Sequence, residues 1–146
     1  MIRHIVVVCV GNICRSPMAE ALLRQALRGE DGYTVESAGL GALVGYPAAE
    51  HSVALMDELG LDIREHRARQ LHPDMVGAAD VVLVMETGHK RAIHDADATA
   101  WGKVHRLGEW QEKDIDDPYR QPLEAYVAAL EAIREGVASW VERIRI

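Results

Sequence analysis

Residues 3–10, RHIVVVCV, form a β-branched apolar run too continuous to alternate between core and solvent. Such a strand is stable only when both of its faces are covered, as in a parallel sheet held between two helical layers. Residues 80–85, DVVLVM, repeat the pattern, and shorter candidates lie at 33–38 (YTVESA) and 103–107 (KVHRL). The segments between them carry helical signals. A helix is predicted over 17–29, with Ser16 as N-cap, Pro17 at the first helical position and Gly29 as the stop. Residues 47–59 carry Val53, Leu55, Met56 and Leu59 before Gly60, and 88–95 follow Thr87 as a cap. Residues 122–144 set Leu123, Val127, Leu130, Ile133, Val137, Val141 and Ile144 at helical spacing, so one long face is buried. Strand and helix alternate throughout. The expected fold is α/β: a single three-layer domain over 1–146, with a four-stranded parallel sheet flanked by helices.

Composition narrows the functions. The chain has 146 residues, 49% of them hydrophobic, which supports a core without metal or disulfide staples. No stretch approaches the roughly 20 apolar residues of a membrane span, so no membrane insertion is expected. The N-terminal run lacks a small-residue cleavage site and does not read as a signal peptide. A cytoplasmic location with reduced thiols follows as the expectation. Two cysteines are too few for a disulfide framework or a four-cysteine zinc site. The net charge of −7 argues against nucleic acid as a partner. It leaves room for an anionic substrate at a locally positive site.

Both cysteines fall in one short stretch, CVGNICRSP, residues 9–17. Cys9 ends the first strand, where open α/β sheets bind their ligands. In a strand-loop-helix turn, backbone N–H groups point inward and the helix N-terminus adds partial positive charge. The loop after strand 1 is therefore expected to cradle a phosphate. Arg15 adds a planar, permanently charged fork that can hold two phosphate oxygens. The field that holds a phosphate also favours a thiolate, and in such surroundings a cysteine pKa falls from about 8.5 to roughly 3.5–7.5. Cys9 would be a nucleophile needing no histidine base. The Ser16 hydroxyl can donate a hydrogen bond to it.

The pattern C-x5-R-S marks cysteine-dependent phosphatases. The fuller string VCVGNICRSP, with Asp116-Asp117-Pro118-Tyr119 far downstream, resembles the low-molecular-weight protein tyrosine phosphatase family. The resemblance continues through Ser37-Ala38-Gly39 and HRARQ at 66–70. It implies Cys9 as the nucleophile that forms a phosphocysteine, and Arg15 as the phosphate and transition-state ligand. It implies Asp117 as the general acid, preferred to Asp116 because the family acid directly precedes the proline. Val10, Gly11, Asn12, Ile13, Cys14 and Ser16 would complete the substrate-binding loop. Asn12 would take a left-handed backbone, His66 would hydrogen-bond to it, and Ser16 and Ser37 would supply supporting hydroxyls. Cys14 would be the partner able to form a protective disulfide with Cys9 under oxidation. Leu43 and Tyr119 would wall the site. Leu43, where many eukaryotic-type members have a large aromatic, resembles the bacterial branch acting on membrane tyrosine autokinases of capsule and exopolysaccharide export. Arg120 replaces an aromatic found in some relatives. No cofactor and no metal is implied, and a monomer acting on a phosphotyrosine protein is expected.

Plainer readings stand beside these. Cys14 reads equally as packing or as a redox partner. His66 reads as a structural hydrogen-bond partner, Asp116 as a solvated carboxylate, and Arg64, Arg67 and Arg69 as a solvated basic face. Trp101, Trp110, Trp140 and Tyr126 read as packing residues. DIDDP at 114–118 lacks the glycine of a calcium loop, and His89 and His94 are badly spaced for a metal. GLGALVG at 39–45 is one residue off a dinucleotide fingerprint and reads as a site wall. An arsenate reductase would relay oxidation through cysteines outside the loop, and this chain has none. A protein-arginine phosphatase would typically carry threonine where Ile13 stands. A silent phosphate-binding module would need neither a nucleophile nor an acid.

Overall fold

A computed structural model describes residues 1–145. Four strands, β1 (His4–Cys9), β2 (Thr34–Gly39), β3 (Val81–Val84) and β4 (Val104–Arg106), form one parallel sheet in the order β2-β1-β3-β4. Side chains alternate across it. Ile5, Val7, Cys9, Val81 and Leu83 face one core, and Val6, Val8, Val82, Val84 and Val104 face the other. Helices α1 (Arg15–Ala26), α2 (Glu50–Glu58) and α5 (Leu123–Ile144) cover the first face. Helices α3 (Pro73–Ala78) and α4 (Thr87–Ala96) cover the second. The continuous apolar runs thus reflect a three-layer α/β architecture, with β1 and β3 central.

Several expected element boundaries shift, and the helix expected over 47–59 spans Glu50–Glu58. Helix α1 begins at Arg15 with Cys14 as its N-cap, and no side chain caps it. Ser16 is the second helical residue, and its hydroxyl points to Cys9 and Asn12 instead of the helix amides. Helix α4 begins at Thr87 with Glu86 as its N-cap. The sequence reading placed no helix at Pro73–Ala78, although His72 Nδ1 accepts from the Asp74 amide and Pro73 opens the turn. Two short 3₁₀ segments, Ala98–Lys103 and Glu109–Gln111, carry no periodicity that would mark them in the sequence. Of the three tryptophans, Trp140 is buried, while Trp101 and Trp110 are about half exposed and carry Lys90 and Arg143 on their rings.

The strand order puts the site in its place. From β1 the chain crosses to β2 on one side, and the next crossover reaches β3 on the other. The carboxyl ends of β1 and β3 therefore lie side by side at the point where the order reverses, which is where α/β sheets bind ligands. Cys9 ends β1, and Glu86 follows β3.

Candidate active site

The loop after β1 is held from outside by its carbonyls. Cys9 O accepts from Leu40 N (2.9 Å), Val10 O from Gly41 N (3.0 Å) and Gly11 O from Leu43 N (3.1 Å). Asn12 O lies 2.7 Å from His66 Nε2, Ile13 O accepts from Ala49 N (2.8 Å), and Cys14 O from the Ser52 hydroxyl (3.2 Å). Six successive carbonyls are bound outward. Among the described residues, the amides of Gly11 to Cys14 have no protein acceptor. That arrangement leaves a ring of donors for an anion. Gly39 makes the wall's close approach possible, since a Cβ there would stand 2.3 Å from the Val10 carbonyl.

Asn12 sets the loop's turn. Its φ of 59° is left-handed, and its side chain is fully buried. Its amide donates to Ser16 Oγ (2.8 Å) and Ser37 Oγ (3.0 Å), while Oδ1 accepts from Arg69 N (2.9 Å). The Ser37 hydroxyl donates in turn to Glu20. Ser16, already an acceptor from Asn12, has its own hydrogen free for Cys9 Sγ at 2.9 Å. Glu20, absent from the sequence reading, anchors this chain of donors and also pairs with Arg24 at 2.6 Å.

Arg15 is 1% exposed and lies across the carboxyl ends of β1 and β3. One terminal nitrogen donates to both Glu86 Oε2 and the Ile115 carbonyl, each at 2.6 Å. The other lies 3.5 Å from Asp117 Oδ2, and Nε is buried with no hydrogen-bond partner among the described residues. A buried, unsatisfied guanidinium N–H beside a ring of inward amides fits an oxyanion ligand. Sequence reading missed Glu86, because nothing local marks it. Only the adjacency of β1 and β3 brings it to Arg15.

Cys9, Val10, Gly11, Ile13, Cys14, Arg15, Leu43, Asp117 and Tyr119 line one cavity of about 120 Å³, with Gly41. Asn12, Ser16, Ser37 and His66 sit behind it as supports. Asp117 is partly exposed, and its Oδ1 accepts from Tyr119 N (3.1 Å). Asp116 is exposed and does not line the cavity. Asp114, read only as a failed calcium-loop residue, ties the segment down: it accepts from Thr87 N (3.0 Å) and pairs with Arg106 (3.2 Å). Burial would raise its pKa, but the hydrogen bonds from Arg106 and Thr87 outweigh that and lower it. The two cysteines differ. Both are free thiols, but burial pushes Cys14 up to about 11, and its sulfur lies 3.4 Å from the Tyr126 hydroxyl. The basic face at 64–69 is largely neutralised, since Arg64 pairs with Asp57 and Asp62 and Arg69 with Glu36.

Residues 4–146 match the family model for low molecular weight phosphotyrosine protein phosphatase. The chain belongs to that family. The phosphatase is 54% identical over 145 residues to the probable low molecular weight protein-tyrosine-phosphatase EpsP of Ralstonia solanacearum, covering 99% of this chain and 98% of that one. It superposes on Vibrio vulnificus Wzb in complex with benzylphosphonate with a TM-score of 0.91, at 38% identity, covering 98% and 99% of the two chains. The YwlE arginine phosphatase of Geobacillus stearothermophilus superposes almost as well, with a TM-score of 0.90 at 34% identity, covering 98% and 93%. The fold therefore does not separate the two substrates. The family and the 54% relative make this phosphatase a protein-tyrosine phosphatase. No described helix is long and apolar enough to cross a membrane.

Proposed function

We propose that this phosphatase acts in the cytoplasm on phosphotyrosines of a bacterial membrane tyrosine autokinase controlling exopolysaccharide or capsule production. Its likeness to EpsP and Wzb and the aliphatic Leu43 in the wall support the partner. The reaction runs through a phosphocysteine. The Cys9 thiolate attacks phosphorus in line, the bond from phosphorus to the tyrosyl oxygen breaks, and Asp117 gives its proton to the leaving phenolate. Loop amides and Arg15 stabilise the charge on the transferring oxygens. Water then attacks the phosphocysteine, Asp117 takes its proton, and the S–P bond breaks to release phosphate and the thiolate. Tyr119 offers a ring for the tyrosine to stack on.

The observation that carries this reading is the shared cavity of Cys9, Arg15 and Asp117, with Arg15 aligned by Glu86. Ile13, in place of a threonine, favours phosphotyrosine over phosphoarginine. The test is the initial rate on a phosphotyrosine peptide without added metal, wild type against Cys9→Ser. Metal-free turnover that vanishes in the variant is expected. A folded, reduced wild type inactive on phosphotyrosine but active on phosphoarginine would transfer the assignment to the arginine branch.

A further inference from the structure

The turn that follows Asp117 carries a cation that the reaction does not use. Pro118 to Gln121 form the turn, closed by Gln121 N on the Pro118 carbonyl (2.9 Å). It is tied to Asp117 at two points. Asp117 Oδ1 accepts from Tyr119 N (3.1 Å), and the Asp117 carbonyl accepts from Gln121 Nε2 (3.2 Å). Arg120 is third in the turn and has a φ of 62°, a left-handed position where glycine or asparagine is usual. A longer side chain is strained there, and strain of this kind collects at functional sites. The turn by itself therefore does not account for arginine.

What arginine adds is a charge at the mouth of the cavity. The Tyr119 ring lines that cavity and is 40% exposed. The guanidinium carbon of Arg120 lies over this ring, 5.2 Å from its centre, so the cation rests on one face of the wall. Arg120 is exposed. Asp117 pairs with Arg15, and no carboxylate among the described residues pairs with Arg120. Its planar fork of donors is thus held in place and unused. A phosphotyrosine stacked on the other face of Tyr119 brings its chain neighbours within reach of that fork. We propose that Arg120 is a specificity-determining residue, which selects phosphotyrosines that have glutamate or aspartate beside them. The inference rests on the reading of the cavity as a phosphotyrosine site with Tyr119 as its wall. The net charge of −7 pulls the other way, since it repels an acidic peptide. At physiological ionic strength such fields fade over about 8 Å, so a cation in contact outweighs distant carboxylates.

The experiment measures kcat/KM on three peptides that differ only in the residues flanking phosphotyrosine: glutamate, glutamine or lysine. Wild type is compared with Arg120→Gln and Arg120→Glu. Wild type is expected to favour the glutamate peptide over the glutamine peptide about threefold, the order for an exposed ion pair, and over the lysine peptide by more. The preference should shrink as salt rises, a measurement that needs no variant. Arg120→Gln is expected to bring the glutamate-to-glutamine ratio to one or below, and Arg120→Glu to favour lysine. Ratios taken within one enzyme cancel any general loss from a disturbed turn. A wild type that hydrolyses all three peptides without regard to charge would overturn the proposal and leave the phosphotyrosine reading standing. So would a glutamate preference that survives in Arg120→Gln, because Arg120 would then only support the Tyr119 ring. A wild type that leaves all three peptides intact would remove the phosphotyrosine reading and this inference with it.

Discussion

At the scale of single residues, Asp117 shows how position divides labour among neighbours. Asp114, Asp116 and Asp117 stand within four positions, yet one is a tether, one is solvated and one lines the cavity beside Arg15. An acid that protonates a leaving group matters most when that group is basic. Asp117→Asn is therefore expected to slow phenyl phosphate hydrolysis by about 10²–10³-fold and an activated dinitrophenyl ester far less. Inorganic phosphate inhibition should stay within about threefold, because asparagine is nearly isosteric. Equal losses on both esters would remove Asp117 from the acid role. That Cys9, Arg15 and Asp117 meet in one cavity is legible in sequence, because the loop motif and the Asp-Pro pair mark them. The bond from Ser16 to Cys9 is legible in sequence, but its place as helix cap is not, since Cys14 takes the N-cap position and the hydroxyl serves the thiol. Glu86, Asp114 and Glu20 are not legible, because each acts on a residue from another element.

At the scale of elements, the long helix α5 carries a test of packing against propensity. Gly136 lies mid-helix, where alanine ordinarily gains about 1 kcal/mol. Here an added Cβ would stand 2.7 Å from the Leu107 carbonyl oxygen and 2.9 Å from its Cγ. Leu107 is fully buried just beyond β4, and its amide is bonded to Val84, so its backbone has little freedom to retreat. Overpacking of this kind costs about 1–3 kcal/mol, more than the propensity gain on average. Gly136→Ala is therefore expected to lower Tm by a few degrees, measured by calorimetry, where propensity alone predicts a rise. The apolar periodicity of 122–144 reveals this helix almost to the residue, because its buried face is long. It does not reveal that one glycine is a contact point. The six-residue α3 escaped because two turns are too short to show a period, and its cap is an uncommon histidine.

At the scale of the molecule, the strand order is what the sequence could not supply. Four parallel strands and their helices follow from pattern, but β2-β1-β3-β4 depends on which way each crossover runs, and that order joins Glu86 to Arg15. The site's chemistry also feeds back on global stability through Cys14, buried under the loop against Tyr126. In the folded chain burial disfavours the thiolate and pushes the Cys14 thiol up from the ordinary cysteine range, about 8.5–9, to about 11. Below about pH 9 both the folded and unfolded chains keep this proton, and the contribution to stability is fully present. Between about 9 and 11 the unfolded chain has lost a proton that the folded chain retains, so stability falls as pH rises. The Tyr126 phenol, raised by burial and by its hydrogen bond to Cys14, adds to the same trend at the upper end of that range. In reductant, the wild-type Tm is expected to drop steadily above about pH 9. Cys14→Ala, with no thiol to ionise, should show a shallower decline from its own lower starting point. Parallel curves for the two proteins would mean that alkaline loss arises elsewhere, and that the buried thiol is not the group whose ionisation opens the core.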